Sequence, residues 1–332
     1  MKGWRRWVVG IIVAAALLGI VLRMGDLENY VRLLRQSQPG WLLVAVLLQL
    51  STYASLALGW REVLRAGDGR APALKLLLRI AFSKLFADQA LPTAGMGGNV
   101  LLVDQLTAAG ATRGTSMAVL LISIRAYYAA YLLLALACLF LLWLHGQATA
   151  LMAGLVTTFI LVALAIPALA LWLRRRGSKP LPPVVERIRP IAQLLQTMAE
   201  APGALVGDRA LLLRVTGFNA LVFLADILTL YACLRALGVD TGVSTALIAF
   251  SLASIVVTLG PIPLGLGTFE ATSTSTLHLL GVPIEAALSA TLLLRFLTLW
   301  LPLAPGFIQM HRITRPHRDK RADGDKRSEG AP

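Results

Sequence analysis

Long apolar runs, separated by short polar and basic stretches, are the main feature of this chain. Six runs have close to the roughly 20 residues, or more, that a helix needs to cross the hydrocarbon core of a bilayer. They lie at about 7–22, 41–60, 115–144, 148–173, 215–237 and 284–310. The pattern predicts an all-α protein, a polytopic membrane helix bundle with several spans.

Two further stretches are apolar but are interrupted by glycine and proline. Residues 73–110 surround a Gly/Pro segment at 91–99, and residues 242–281 surround another at 260–270. Glycine and proline break helices, and broken backbone at membrane depth survives only against protein or a wet cavity. Each stretch therefore predicts a re-entrant hairpin, which gives six full spans plus two hairpins. The alternative is eight spans, in which both arms of the second stretch cross the bilayer.

One offset of 170 positions (265 − 95) relates glycines and arginines in the two halves of the chain. The pairs are Gly95 with Gly265, Gly97 with Gly267, Arg65 with Arg235, and Arg125 with Arg295. The offset predicts an internal repeat with units at about 41–145 and 211–310. The first unit starts outside and the second starts inside, so the repeats are inverted across the membrane, as in many secondary transporters.

Composition agrees with a membrane location, because 57% of the 332 residues are hydrophobic and 14% are charged, against about 25% charged in soluble domains. The net charge of +14 would suit a nucleic-acid-binding protein. The basic residues, however, cluster in the loops and at the chain ends, as they do on the cytoplasmic side of membrane proteins. We therefore expect no nucleic-acid partner, two cytoplasmic termini, a membrane domain at 1–315 and a charged cytoplasmic tail at 316–332.

Arg125 and Arg295 lie well inside apolar runs and occupy matching positions of the repeat. An arginine near the bilayer centre costs at least ~2.5 kcal/mol and must face a partner or a cavity. The guanidinium fork fits phosphate, so the pair is a candidate site for an anionic head group. The alternative is a structural ion pair that holds the bundle together, with a partner among Asp88, Asp104, Asp226 and Glu270.

The glycine centres have a second candidate role. A helix that restarts near Gly97 or Gly267 directs free N–H groups and a positive dipole towards one spot, where anions bind. The alternative is that the glycines only permit a tight turn or close helix packing, and that Asn99 only caps a helix. The candidate binding residues are Arg125, Arg295, Gly95, Gly97, Gly98, Asn99, Gly265, Gly267 and Glu270. Asp104 and Asp226 are candidate proton carriers, because carboxylates in membranes titrate easily.

The sequence carries no catalytic motif: no paired His and Asp, no Gly-x-Ser-x-Gly, no metal-ligand spacing and no phosphate-binding loop. A membrane-embedded transferase would need an aspartate-rich loop, which is also absent. We therefore expect a protein that is not an enzyme and that uses no cofactor or metal.

The motifs resemble those of a known family, the lysylphosphatidylglycerol synthase transmembrane region family. Residues 91–100 are similar to its first glycine motif, residues 260–270 to its second, and Arg295 and 300–302 continue the C-terminal pattern. In larger relatives this region is a lipid flippase that precedes a soluble domain that aminoacylates lipid. The resemblance implies a stand-alone, flippase-like member without synthase activity, of the kind that accompanies hopanoid or glycolipid genes.

One departure from the family pattern concerns the first arginine. The family has an acidic residue immediately before it, whereas this chain has Ile124, which argues against a Glu–Arg pair in the third span. The resulting hypothesis is translocation of a lipid or lipid-linked intermediate across the bacterial inner membrane. Its partners would be membrane lipids with an anionic head group, and lipid-biosynthetic enzymes. The alternative is a non-transporting accessory protein of a lipid or glycan biosynthetic complex.

Overall fold

A computed structural model describes residues 37–90, 96–144, 150–177, 201–260 and 265–300. The first apolar run at 7–22 and the charged tail at 316–332 lie outside the described residues. The helices are α1 (Pro39–Asp68), α2 (Leu74–Ala90), α3 (Met96–Ala108), α4 (Arg113–Leu144), α5 (Ala150–Gly177), α6 (Gly203–Gly207), α7 (Arg209–Ala236), α8 (Val243–Leu259), α9 (Thr268–Leu279) and α10 (Ile284–Arg295), which continues into a π-helical turn at Phe296–Trp300.

The part of the chain that the structure describes contains no strand, and it confirms the prediction of an all-α membrane helix bundle. Within it, α1, α4 and α7 are long and apolar enough to cross a bilayer. Their ends follow from the sequence. Pro39 begins α1, and Gly69, with φ of 67°, ends it. Asp208 caps α7, because its carboxylate accepts from the N–H groups of Ala210 at 2.8 Å and of Leu211 at 3.1 Å.

The two Gly/Pro-broken stretches form two helical hairpins, as expected. Hairpin 1 consists of α2 packed on α3, and hairpin 2 consists of α8 packed on α9. The shorter arms, α3 and α9, have 13 and 12 residues. At about 1.5 Å per residue such helices are roughly 18–20 Å long, well short of the ~30 Å hydrocarbon core. The lengths favour hairpins over the eight-span alternative.

The helix boundaries recur at the offset that the glycines and arginines predict. Helices α1 to α4 begin at 39, 74, 96 and 113, and α7 to α10 begin at 209, 243, 268 and 284. The differences are 170, 169, 172 and 171 positions. Within each half the hairpin packs on the preceding long helix and on the following one. The outer limits of the two repeat units stay predictions.

The central contact of the bundle is between α1 and α7, the equivalent helices of the two halves. At one end, the N–H group of Gln38 donates to the carbonyl oxygen of Ala236 at 2.9 Å. At the other end, Arg214 pairs with Glu62 at 3.4 Å. The start of α1 therefore meets the end of α7, and the two helices are antiparallel. Equivalent helices that run in opposite directions are the geometry of an inverted repeat.

Candidate functional site

Two cavities in the described part of the chain lie beside the two hairpins. The hairpin-1 cavity has a volume of about 520 Å³, and the hairpin-2 cavity has a volume of about 320 Å³. Both are lined by Leu56, Leu85, Tyr127 and Val222. These residues come from α1, α2, α4 and α7, so the cavities adjoin each other at the centre of the bundle. Adjoining cavities of this size could hold a lipid head group.

The hairpin-2 cavity contains the charged groups of the second half. Arg295 and Asp226 both line it, from α10 and α7 respectively. The Nε of Arg295 donates to Glu270 Oε1 at 2.7 Å, and the guanidinium lies 4.9 Å from the centre of the Phe269 ring. The two side chains of this ion pair are 12% and 17% exposed. One of the ion-pair alternatives raised by the sequence is therefore present in the structure.

Local backbone geometry places this ion pair. Glu270 lies in the first turn of α9, and its Oε2 accepts from the N–H group of Gly267 at 2.7 Å. Gly267 has φ of 84°, a conformation that suits glycine. Arg295 ends α10 immediately before the π-helical turn, a feature frequent at functional sites. The Glu270 carboxylate thus binds both the N–H group at the start of α9 and the side chain of Arg295. The free N–H group expected at Gly267 is already bound by the protein's own anion.

The hairpin-1 cavity has its own ion pair. Lys84 Nζ lies 2.6 Å from Asp88 Oδ2, one helical turn away on α2. Gly98, in the first turn of α3, packs against this carboxylate, because a Cβ atom there would lie 2.2 Å from Asp88 Oδ1. Asn99 and Ser123 also line the cavity. Each hairpin therefore has a glycine at a helix start and a carboxylate paired with a cation, but Lys84 belongs to hairpin 1 itself, whereas Arg295 belongs to α10.

Arg125 lies elsewhere in the structure. It donates a hydrogen bond to the carbonyl oxygen of Val206 in α6, and it lines neither of the two cavities described above. Ile124, Tyr127 and Tyr128 of the same helix do line the hairpin-1 cavity. They form one face at i, i+3 and i+4, and Arg125 lies off that face. Neither of these two cavities therefore contains both arginines, and a shared binding site for them stays a prediction.

The other candidate residues from the sequence also lie at different places in the structure. Asp226 lines the hairpin-2 cavity, whereas Asp104 is exposed on α3 and lines neither cavity described here. Gly265 has φ of 60°, and a Cβ atom there would lie 2.3 Å from the Val257 side chain, so it allows close packing within hairpin 2. Gly97 belongs to the first turn of α3, and Gly95 lies outside the described residues. Binding roles for these residues stay predictions.

Several cavity residues were not among the sequence candidates. Lys84 could have been found, because it lies four residues before Asp88 in an apolar helix. Tyr127, Gln49 and Ser123 line the cavities without any sequence signal. Aromatic, amide and hydroxyl side chains are common in membrane helices, and only packing decides which of them face a cavity.

Comparison with known proteins agrees with the motifs. The chain is similar to a UPF0104 membrane protein of Methanothermobacter thermautotrophicus (strain Delta H), and the two sequences are 34% identical over 90 residues. It covers 27% of this chain and 27% of that relative. The family model of the lysylphosphatidylglycerol synthase TM region matches residues 7–306, which include every helix described above. The chain therefore belongs to the lysylphosphatidylglycerol synthase TM region family.

Proposed function

We propose that this membrane protein translocates a lipid or lipid-linked intermediate, and that it binds the anionic part of the head group at Arg295. The observation that carries the proposal is the pair of adjoining cavities. Each one lies against a different hairpin, and the two halves of the bundle are inverted. A head group could therefore pass between them while its acyl chains stay in lipid.

The ion pair in the hairpin-2 cavity supports capture of an anion. Arg295 donates to Glu270 through Nε, and a guanidinium group presents its donors in a planar fork that matches the geometry of phosphate. Asp226 lines the same cavity and adds a second carboxylate to it. A phosphate that enters would compete with Glu270 for Arg295, and an ionised Asp226 in the same cavity would disfavour it, so its binding would be easier when Asp226 is protonated. Because Asp226 lines this cavity and Asp104 does not, we propose Asp226 as the proton carrier.

We also propose that the end of the bundle formed by the end of α1 and the starts of α4 and α7 faces the cytoplasm. Asp68 joins the end of α1 to the start of α4, because it accepts from the N–H group of Thr112 at 3.0 Å and from Thr115 Oγ1 at 2.8 Å. Arg214, near the start of α7, pairs with Glu62 of α1 at 3.4 Å. Basic side chains are concentrated there. They are Arg61, Arg65, Arg70, Lys75, Arg113, Arg209 and Arg214. Such an excess is typical of the cytoplasmic side of a membrane.

Single-cysteine labelling tests this orientation. Cys138 and Cys233 are buried and can be replaced by alanine to give a cysteine-free background. In spheroplasts of a bacterial host, an impermeant maleimide is expected to label Asp240→Cys, whose native side chain is 95% exposed. Arg70→Cys is expected to react only after the membrane is permeabilised. The reverse pattern would contradict the proposed orientation.

Translocation itself is tested with purified protein in liposomes that contain a fluorescent phospholipid. The wild-type chain is expected to move the lipid between leaflets faster than empty liposomes do. Leu85→Trp places a large side chain where the two cavities meet, and should slow the movement by roughly fivefold or more. The matched control is Leu221→Trp, at a position 51% exposed on the outside of α7, which should keep the wild-type rate. No movement above empty liposomes would favour a non-transporting accessory role.

A further inference from the structure

Two residues that line the hairpin-1 cavity each have a buried oxygen atom without a hydrogen-bond partner among the described residues. The two atoms are Asp88 Oδ1 and Ser123 Oγ. A buried polar atom without a partner is costly, and native proteins leave few of them. Two such atoms on residues of one cavity point to a ligand that supplies hydrogen bonds. Asp88 Oδ1 can only accept, so the ligand must bring a donor.

Charge restricts the ligand further. Lys84 and Asp88 lie 2.6 Å apart and neutralise each other. A phosphate at Asp88 Oδ1 would meet a carboxylate, and an ammonium group there would meet the nearby Lys84. Two like charges within hydrogen-bonding distance of each other repel strongly in a site of low polarity. A neutral hydroxyl group satisfies Asp88 Oδ1 without repulsion, and it can donate to or accept from Ser123 Oγ.

The walls of the cavity suit a ring or polyol attached to a lipid. Trp60, Tyr127 and Tyr128 line it, and flat aromatic faces pack well against the C–H faces of sugars. Leu102, Leu120 and Ile166 add an apolar wall, which a free, fully hydrated sugar would not need. The lining of the cavity therefore combines aromatic faces, residues with unpartnered oxygens and apolar surface.

We propose that the hairpin-1 cavity binds a neutral, hydroxyl-rich part of a lipid head group, a sugar or polyol, through hydrogen bonds to Asp88 Oδ1 and Ser123 Oγ. This inference rests on the proposed function and names the class of its substrate. The substrate carries hydroxyl groups that bind in the hairpin-1 cavity and an anionic group that binds at Arg295. Because the two cavities adjoin, one head group could reach both.

The test measures lipid binding to the full-length chain by native mass spectrometry, with two probes. Glucosyl diacylglycerol carries hydroxyl groups without charge, and phosphatidic acid carries charge without a sugar. Ser123→Ala is expected to weaken binding of the glucosyl lipid by roughly three- to tenfold, the usual worth of one hydrogen bond, and to leave phosphatidic acid binding unchanged. The matched control is Ser251→Ala. Ser251 is buried and its Oγ also has no partner among the described residues, but it lines neither cavity.

Equal binding of the glucosyl lipid by wild type and Ser123→Ala would overturn the inference, as would an equal loss in Ser251→Ala. Free glucose at millimolar concentration is expected not to compete with the glucosyl lipid. Full competition would overturn the assignment to a lipid and indicate a soluble sugar. Lipid movement is measured in liposomes from the same preparations. Sugar binding without movement would reject the proposed function alone, and movement without sugar binding would reject this inference alone.

Discussion

Replacing Arg295 with lysine is expected to slow lipid translocation by roughly tenfold or more, while the protein stays folded. Lysine keeps the positive charge beside Glu270, so the buried carboxylate is not left unpaired. It loses the planar fork with which, under the proposed function, one side chain would hold Glu270 and a phosphate at the same time. The measurement is the rate of lipid movement per folded protein in liposomes, together with the melting temperature in detergent.

Arg125→Lys is the matched control for this prediction. Arg125 contacts the carbonyl oxygen of Val206 and lies outside both cavities, so a lysine there should keep translocation close to the wild-type rate. Loss of the hydrogen bond should lower stability by about 1 kcal/mol. If Arg295→Lys transported normally, the ion pair with Glu270 would be structural only. If Arg125→Lys lost transport instead, the site would have to include α6.

Gly98→Ala is expected to destabilise the protein by about 3 kcal/mol, near the upper end of the cost of overpacking. A Cβ atom at this position would lie 2.2 Å from Asp88 Oδ1 and 2.7 Å from the backbone carbonyl oxygen of Lys84. The side chain of Asp88 could rotate, but the carbonyl of Lys84 belongs to α2 and cannot move alone. The two arms of hairpin 1 must therefore separate.

Gly217→Ala, on α7, is the control for the same change in a helix. No atom lies within 4 Å of the Cβ position there, so alanine should stabilise the helix by about 0.5–1 kcal/mol through its higher helix propensity. The melting temperatures of both variants in one detergent give the comparison. Equal melting temperatures would mean that hairpin 1 packs more loosely than described, and that Gly98 is not needed for contact with Asp88.

Much of the fold follows from features that act locally along the chain. Apolar run length predicted the long helices, because a membrane requires about 20 residues for each span. Gly/Pro centres predicted the two hairpins, because both residues break helices wherever they occur. The spacing of Gly95 and Gly265 and of the two arginines predicted the offset at which the helix starts recur. An internal repeat conserves such spacing regardless of the details of packing.

The candidate site was predictable only in part. The sequence made Arg295 and Asp226 candidate site residues because charges inside apolar runs are costly. The structure places both residues at one cavity. The same reasoning made Arg125 a candidate, but in the structure its guanidinium donates to the carbonyl oxygen of Val206. Depth in a helix can be estimated from sequence, but the direction of a side chain depends on which neighbours pack around that helix.

The sequence by itself determined that this is an all-α membrane protein, where its helices break, and how its halves correspond, because each of these depends on composition and spacing along one chain. Only the tertiary structure decided that α1 and α7 pack antiparallel, that Glu270 binds both Gly267 and Arg295, and that Asp88 and Ser123, each with an oxygen unpartnered among the described residues, line one cavity. Those features depend on contacts between residues far apart in the chain, which no local pattern specifies.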